Sequence, residues 1–262
     1  HPKGLYTLFF TEMWERFSYY GMRALLTIFL TAELATGGFG LDRAESLSVY
    51  GVFTALVYLT PILGGWFADK LLGQRKSILI GGLVMAIGQF MLAAGSSIDL
   101  FADVETRKNL FYLGLGVLIL GNGFFKPNIS TIVGDLYDND DPRKDGAFTI
   151  FYMGINIGAF LSPFIAVTLG EIVGWPYGYF AAGLGMLLGV LWFYARSGTL
   201  GAKGLHSGYK EKGLTELVGK DWRDVILYTI GNVAFVFLVM FIWNNTPELV
   251  HTIMVWVLGI AG

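Results

Sequence analysis

Cysteine is missing from the chain altogether, which excludes disulfides and thiolate-held metal centres. Histidine is almost as scarce. His1, His206 and His251 are the only three, none at the centre of an apolar run, so neither a multi-histidine metal site nor a histidine proton relay is expected. Charge is thin as well: Asp, Glu, Lys and Arg make up 15% of residues, against about 25% in an ordinary soluble domain. The net charge of -2 leaves no basic surface for nucleic acid. No Gly-rich phosphate loop with a following lysine, no His-Glu-x-x-His and no Gly-x-Ser-x-Gly occurs. A hydrolase would therefore lack a visible nucleophile–base pair, and no cofactor is expected. The chain opens at His1 without a cationic leader or a small-residue cleavage site. It does not read as a signal peptide, and the natural N-terminus is expected to be trimmed or disordered.

What the chain has is apolar length. Hydrophobic residues make up 54% and mean hydropathy is +0.58, the composition of an all-α polytopic membrane protein. Eight apolar runs follow one another, at about 4–31, 46–68, 77–96, 109–134, 146–170, 175–195, 222–243 and from 248 onward. Most reach the ~20 residues that cross ~30 Å of hydrocarbon. The eighth is too short to span, so the chain is expected to be part of a longer protein. Connections are short up to the sixth run. The Gly-rich, basic stretch 197–219 then reads as a linker, which divides the chain into a six-helix bundle (1–196), a cytosolic linker (197–219) and a truncated extra hairpin (220–262). With the N-terminus inside, twelve loop Lys and Arg fall on the inner side and three, Arg43, Arg107 and Lys108, on the outer. That bias predicts a multi-pass plasma-membrane protein with a cytoplasmic N-terminus. Ionisable residues in runs one and four, the first of each triplet, hint at a three-plus-three inverted repeat.

The first run carries the strongest chemical signal. Glu12, Glu15, Arg16, Tyr19, Tyr20 and Arg23 are spaced 3, 1, 3, 1 and 3 apart, the stripe of one helix face. Each central charge costs roughly 2.5–3.5 kcal/mol on insertion scales, so the stripe is expected to face a wet cavity. Carboxylates beside guanidinium groups also form a proton switch, since burial and a neighbouring cation pull a carboxyl in opposite directions. Lys126, before Pro127 in the fourth run, lies too deep to snorkel. Two carboxylates against Arg16, Arg23 and Lys126 leave one positive charge for an anionic substrate or a carboxylate from elsewhere. Asp69 and Arg75, across the turn between runs two and three, can latch one conformation. Tyr152 and Asn156 share a face of run five, and Tyr58 in run two adds another polar handle. The plainer alternatives are an intramembrane strut for the stripe and a structural ion pair for the lysine. Asp138-Asn-Asp-Asp141, followed by Pro142-Arg143-Lys144, reads as a solvated loop rather than a calcium site.

Together these residues resemble the proton-coupled oligopeptide transporters, a branch of the major facilitator superfamily. The matching elements are Glu12-x-x-Glu15-Arg16 with Phe-x-Tyr-Tyr-Gly, Gly121-Asn-Gly-Phe-Phe-Lys126-Pro127-Asn128, and Phe151-Tyr152-x-x-Ile155-Asn156-x-Gly158. Gly65-x-x-x-Asp69-x-x-Gly73-x-Arg75-Lys76 is similar to the less specific loop motif of the superfamily. The resemblance covers about 3–196 plus two helices that bacterial members insert between their halves. It implies a six-helix N-terminal bundle that imports di- and tripeptides with protons as the coupling ion. Glu12, Glu15, Arg16 and Lys126 would handle coupling. Tyr19, Tyr20, Arg23, Tyr58, Lys126, Tyr152 and Asn156 would line the peptide pocket. A second six-helix bundle would supply the other cavity wall. The rival readings are a carrier of another small anion such as nitrate on the same scaffold, and a non-transporting membrane scaffold.

Overall fold

A computed structural model describes residues 1–67 and 72–205, together with the single positions 223, 230, 231 and 234. Among the described residues all regular structure is helical. The six principal helices are α1 (Lys3–Thr31), α2 (Arg43–Phe67), α3 (Gln74–Gly95), α4 (Val104–Asp135), α5 (Lys144–Ser162) and α6 (Trp175–Arg196). Each stands on one of the first six apolar runs. The fifth run extends beyond α5 as two π-helical stretches, Pro163–Val167 and Leu169–Val173. Four of these segments are long and apolar enough to cross a membrane; α1 is equally long but carries its charged stripe. The expected hairpin at 220–262 and the later part of the linker lie outside the described residues, apart from the four single positions.

Local chemistry explains the boundaries. Asp42 and Glu45 cap α2 reciprocally: Asp42 Oδ1 accepts from Glu45 N at 2.8 Å, and Glu45 Oε2 accepts from Asp42 N at 3.2 Å. Asp103 caps α4, its carboxylate accepting from both the backbone N–H and the hydroxyl of Thr106 at 2.8 and 2.7 Å. These bonds hold the exposed Asp103 carboxyl below the usual range. Gly174, at φ 145°, turns the chain sharply into α6.

The packing has an internal two-fold logic. α1 lies against α5 and α6, whereas α4 lies against α2 and α3, and α3 packs on α6. Exchanging the triplets α1–α3 and α4–α6 maps this pattern onto itself. The first helix of each triplet is thus embedded in the other triplet, and the two run in opposite directions, as an inverted repeat requires. α1 and α4 scarcely touch each other directly.

Without a hydrophobic force between helices in lipid, close backbone approach must do the holding. Glycines supply it along the α3–α4 seam. A Cβ on Gly81 would come 2.6 Å from Gly121 O, one on Gly88 2.9 Å from Gly114 O, and one on Gly95 2.9 Å from Arg107 O. The pairs recur every seven residues on both antiparallel helices. Across α1, Gly154 of α5 would meet Phe9 O at 2.9 Å and Gly189 of α6 would meet Thr11 O at 3.3 Å. Pro127 leaves Gly123 O without its helical donor, and Gly64 of α2 packs directly on that carbonyl.

A side chain in the α3–α4 seam should therefore be costly. Gly88→Leu is expected to lower stability by about 1–3 kcal/mol or more, as overpacking does. Gly198→Leu, where a Cβ would meet nothing within 4 Å, should be near neutral. Thermal-unfolding midpoints of the two variants decide this, and equal midpoints would contradict the close seam.

Candidate functional site

The charged stripe of α1 meets α4 near the middle of the bundle. Arg16 donates to both oxygens of Glu15, from Nε to Oε2 and from Nη2 to Oε1, the latter at 2.6 Å. The same Nε lies 3.3 Å from Glu12 Oε1. Lys126 Nζ, arriving from α4, donates to that Glu12 oxygen. Glu12 is therefore shared between two cations on two helices. Both carboxylates are fully buried, and the Lys126 side chain is 31% exposed. Glu12 Oε2 has no hydrogen-bond partner among the described residues.

Aromatic rings complete the lining. The Arg16 guanidinium lies 4.9 Å from the Tyr19 ring centroid and 5.9 Å from that of Tyr20, within cation–π range of both. Tyr19 also stacks on Phe53 of α2 at 6.4 Å. Arg23 is not held by either carboxylate. Its Nε donates to Tyr50 OH on α2, and its guanidinium carbon lies 5.1 Å from the Tyr50 centroid. Sequence reasoning missed Tyr50, although it stands eight residues before Tyr58, with Thr54 midway, on the same face of α2.

The other expected site residues are placed differently. Tyr58 is 70% exposed and Tyr152 57%, and Asn156 is exposed as well. Among the described residues no hydrogen bond or ion pair links these three to the charge cluster. Asp69 lies outside the described residues. Arg75 donates to two backbone carbonyls beyond α6, those of Lys203 (2.7 Å) and Gly201. Arg107, counted from sequence among the outer loop charges, is 2% exposed. It donates to Gly37 O and Gly95 O, with its guanidinium 5.5 Å from the Phe39 centroid. The acidic run before α5 behaves as a solvated loop: Arg143 hydrogen-bonds the Asp141 carboxylate at 2.7 and 3.0 Å, which pushes that carboxyl down to about 2. No group of three or more His, Asp or Glu suited to a metal occurs among the described residues.

Two inverted helix triplets around a buried ion cluster, with four segments long and apolar enough to cross a membrane, make this an integral membrane protein. The comparisons with known proteins narrow that class. The POT family model matches residues 75–239. The di-/tripeptide transporter of Lactococcus lactis subsp. lactis is 42% identical over 198 residues, covering 74% of this chain and 38% of that one. Dipeptide and tripeptide permease A of Proteus mirabilis is 34% identical over 259 residues, covering 99% of this chain and 49% of that one. Among solved structures, a peptide transporter POT in complex with sulfate superposes with a TM-score of 0.78 at 37% identity, covering all of this chain and 51% of the other. The chain belongs to the POT family. It spans about half the length, or less, of these relatives.

The shared carboxylate predicts a ranking. Arg16→Met leaves two buried carboxylates with one cation between them and is expected to cost about 3–5 kcal/mol, the usual loss for a broken buried pair. Lys126→Met should cost less, because its side chain is 31% exposed and Glu12 keeps Arg16. Thermal-unfolding midpoints at neutral pH check the order, and a larger loss for Lys126→Met would refute it.

Proposed function

We propose that this chain is the N-terminal half of a proton-coupled importer of di- and tripeptides, working by alternating access with a second six-helix bundle. The observation that carries the reading is Glu12: one oxygen is shared by Arg16 and Lys126 while the other is buried and unpartnered. A proton on that free oxygen cancels the charge that holds Lys126. The released ammonium then has an anionic partner to find, and a peptide carboxylate offers one. Arg23 is available to the same carboxylate because its present partner, the Tyr50 hydroxyl, is neutral. Tyr19, Tyr20, Tyr58, Tyr152 and Asn156 line the remainder of the pocket, and Asp69 with Arg75 latches one state. Loss of the proton to the inner side restores the Glu12–Lys126 pair and resets the carrier. The excess of loop cations on one side of the sequence supports a cytoplasmic N-terminus.

Family membership supports a peptide substrate, and so do the names of the relatives. The paired carboxylates favour a proton-driven peptide carrier over a nitrate carrier, since coupling uses them and nitrate binding alone does not. In the full-length protein, peptide accumulation under an inward proton gradient should fall at least tenfold in both Glu12→Gln and Lys126→Ala. Dialanine should compete with labelled dipeptide where nitrate does not. Undiminished accumulation in both variants would overturn the proposal.

A further inference from the structure

Residues 197–205, which follow α6, do not leave the bundle. Ser197–Leu200 form a 3-10 turn, and the chain then doubles back through Gly201 (φ 58°) and Gly204 (φ 75°), left-handed positions that favour glycine. Leu200 is 2% exposed and packs where a Cβ on Gly4 of α1 would lie 3.0 Å from its Cδ2 and 3.1 Å from Leu136 Cδ2 beyond α4. The hydroxyls of Thr7 on α1 and Thr199 are 2.8 Å apart. Gly204 lies so close to α4 that a Cβ there would come 2.6 Å from Ile132 Cδ1. At the start of α3, Arg75 N donates to Gly204 O at 3.2 Å, while its side chain donates to the Lys203 and Gly201 carbonyls. Nine residues thus cross one end of the bundle and touch α1, α3 and α4.

This matters because α1 and α4, which carry the two halves of the Glu12–Lys126 pair, scarcely touch each other. Thr7 is five residues from Glu12 and Ile132 six from Lys126, about 8–9 Å along each helix at 1.5 Å per residue. We propose that residues 197–205 form a strap that stays docked across α1, α3 and α4 through the transport cycle, holds Glu12 opposite Lys126, and is anchored by Arg75 as a positioning residue. The strap takes up the first nine residues of the stretch read from sequence as a linker. The strap contacts named above, all among the described residues, lie within one bundle, so rocking of two bundles against each other would leave them undisturbed. The positioning role rests on the coupling function proposed above for Glu12 and Lys126; the docking does not.

The lack of cysteine makes docking directly testable. In the full-length protein, with any cysteine outside these 262 residues replaced, Thr7→Cys and Thr199→Cys place two thiols near disulfide distance. Mild oxidation in membranes should cross-link them almost completely, read by mass under denaturing conditions. The initial rate of dialanine uptake should remain within twofold of the reduced form. Sparse cross-linking in uptake-competent protein overturns the proposal. So does uptake lost on oxidation and restored by dithiothreitol. Positioning is tested with Gly204→Val, which lifts the strap from Ile132. The charged groups about Glu12 are Glu15 and Arg16 on α1 and Lys126 on α4. No charged residue occurs in α3 beyond Lys76, in α5 beyond Asp145 or in α6 before Arg196. A looser Lys126 should therefore give a pH profile of dialanine uptake displaced from that of the parent protein. An unchanged pH profile would show that the strap does not position the pair. If the full-length protein moves no dipeptide, the coupling reading falls and takes the positioning role with it, whereas the cross-link yield still decides docking.

Discussion

A charge placed at mid-membrane depth must have a partner, and most of this molecule follows from meeting that demand on α1. Glu12, Glu15 and Arg16 cannot satisfy one another with an even count once Arg23 and Lys126 are included. The arrangement shares the carboxylates unequally. Arg16 takes both oxygens of Glu15 and part of Glu12, and Lys126 takes the rest of Glu12. Arg23 is left with a neutral hydroxyl and an aromatic face, the weakest partner set among the cations of the site. The surplus positive charge is therefore localised on the rim of the cluster nearest α2. It is not spread over the site.

Bringing an α1 carboxylate to an α4 ammonium also constrains the bundle. The two helices lie in opposite triplets with little direct contact, so their spacing is set by their neighbours. The glycine seams allow those neighbours to approach at backbone distance. Polar ties in the core reinforce the register: Gln89 of α3, fully buried, donates from Nε2 to the carbonyl and hydroxyl of Ser18 at 3.3 and 3.1 Å, behind the charged stripe. The site is thus held from α5 and α6 on one side and through α3 on another.

Much of this was legible in the sequence because it depends on local spacing. Apolar length located six helices to within a few residues at most ends, and the 3–1–3 spacing placed the stripe on one face. Charge balance set two carboxylates against three cations, but which cation each carboxylate would hold, and that Lys126 would meet Glu12, was not legible. What escaped the sequence depends on which distant segments come together. Tyr50 reads as one more apolar-face tyrosine until α2 is laid beside α1. Arg107 counts as a loop cation because position along the chain says nothing about a side chain folding inward under Gly37 and Phe39. The stretch after α6 has the Gly-rich, basic composition of a free linker. Its glycines instead serve left-handed turns and a close approach to Ile132, and Leu200 and Leu205 are the only strongly apolar residues of its first nine.

The arginines show how depth selects the partner, and the partner selects the role. Helix ends leave carbonyls without intrahelical donors. Arg107 uses Gly95 O at the end of α3 and Gly37 O in the turn after α1. Arg75 uses the Gly201 and Lys203 carbonyls at the opposite end of the bundle. Mid-helix carbonyls are already occupied, so Arg16 and Arg23 must turn to carboxylates, hydroxyls and rings. A carbonyl is not neutralised by a proton under physiological conditions, whereas a carboxylate is. The carbonyls that hold Arg107 keep their charge state through any proton exchange, whereas Arg16 and Lys126 in the middle hold carboxylates whose charge protonation can remove. Under the proposed coupling, a proton would act at Glu12 or Glu15, because there Arg16 and Lys126 are bound to carboxylates, groups that H⁺ can discharge.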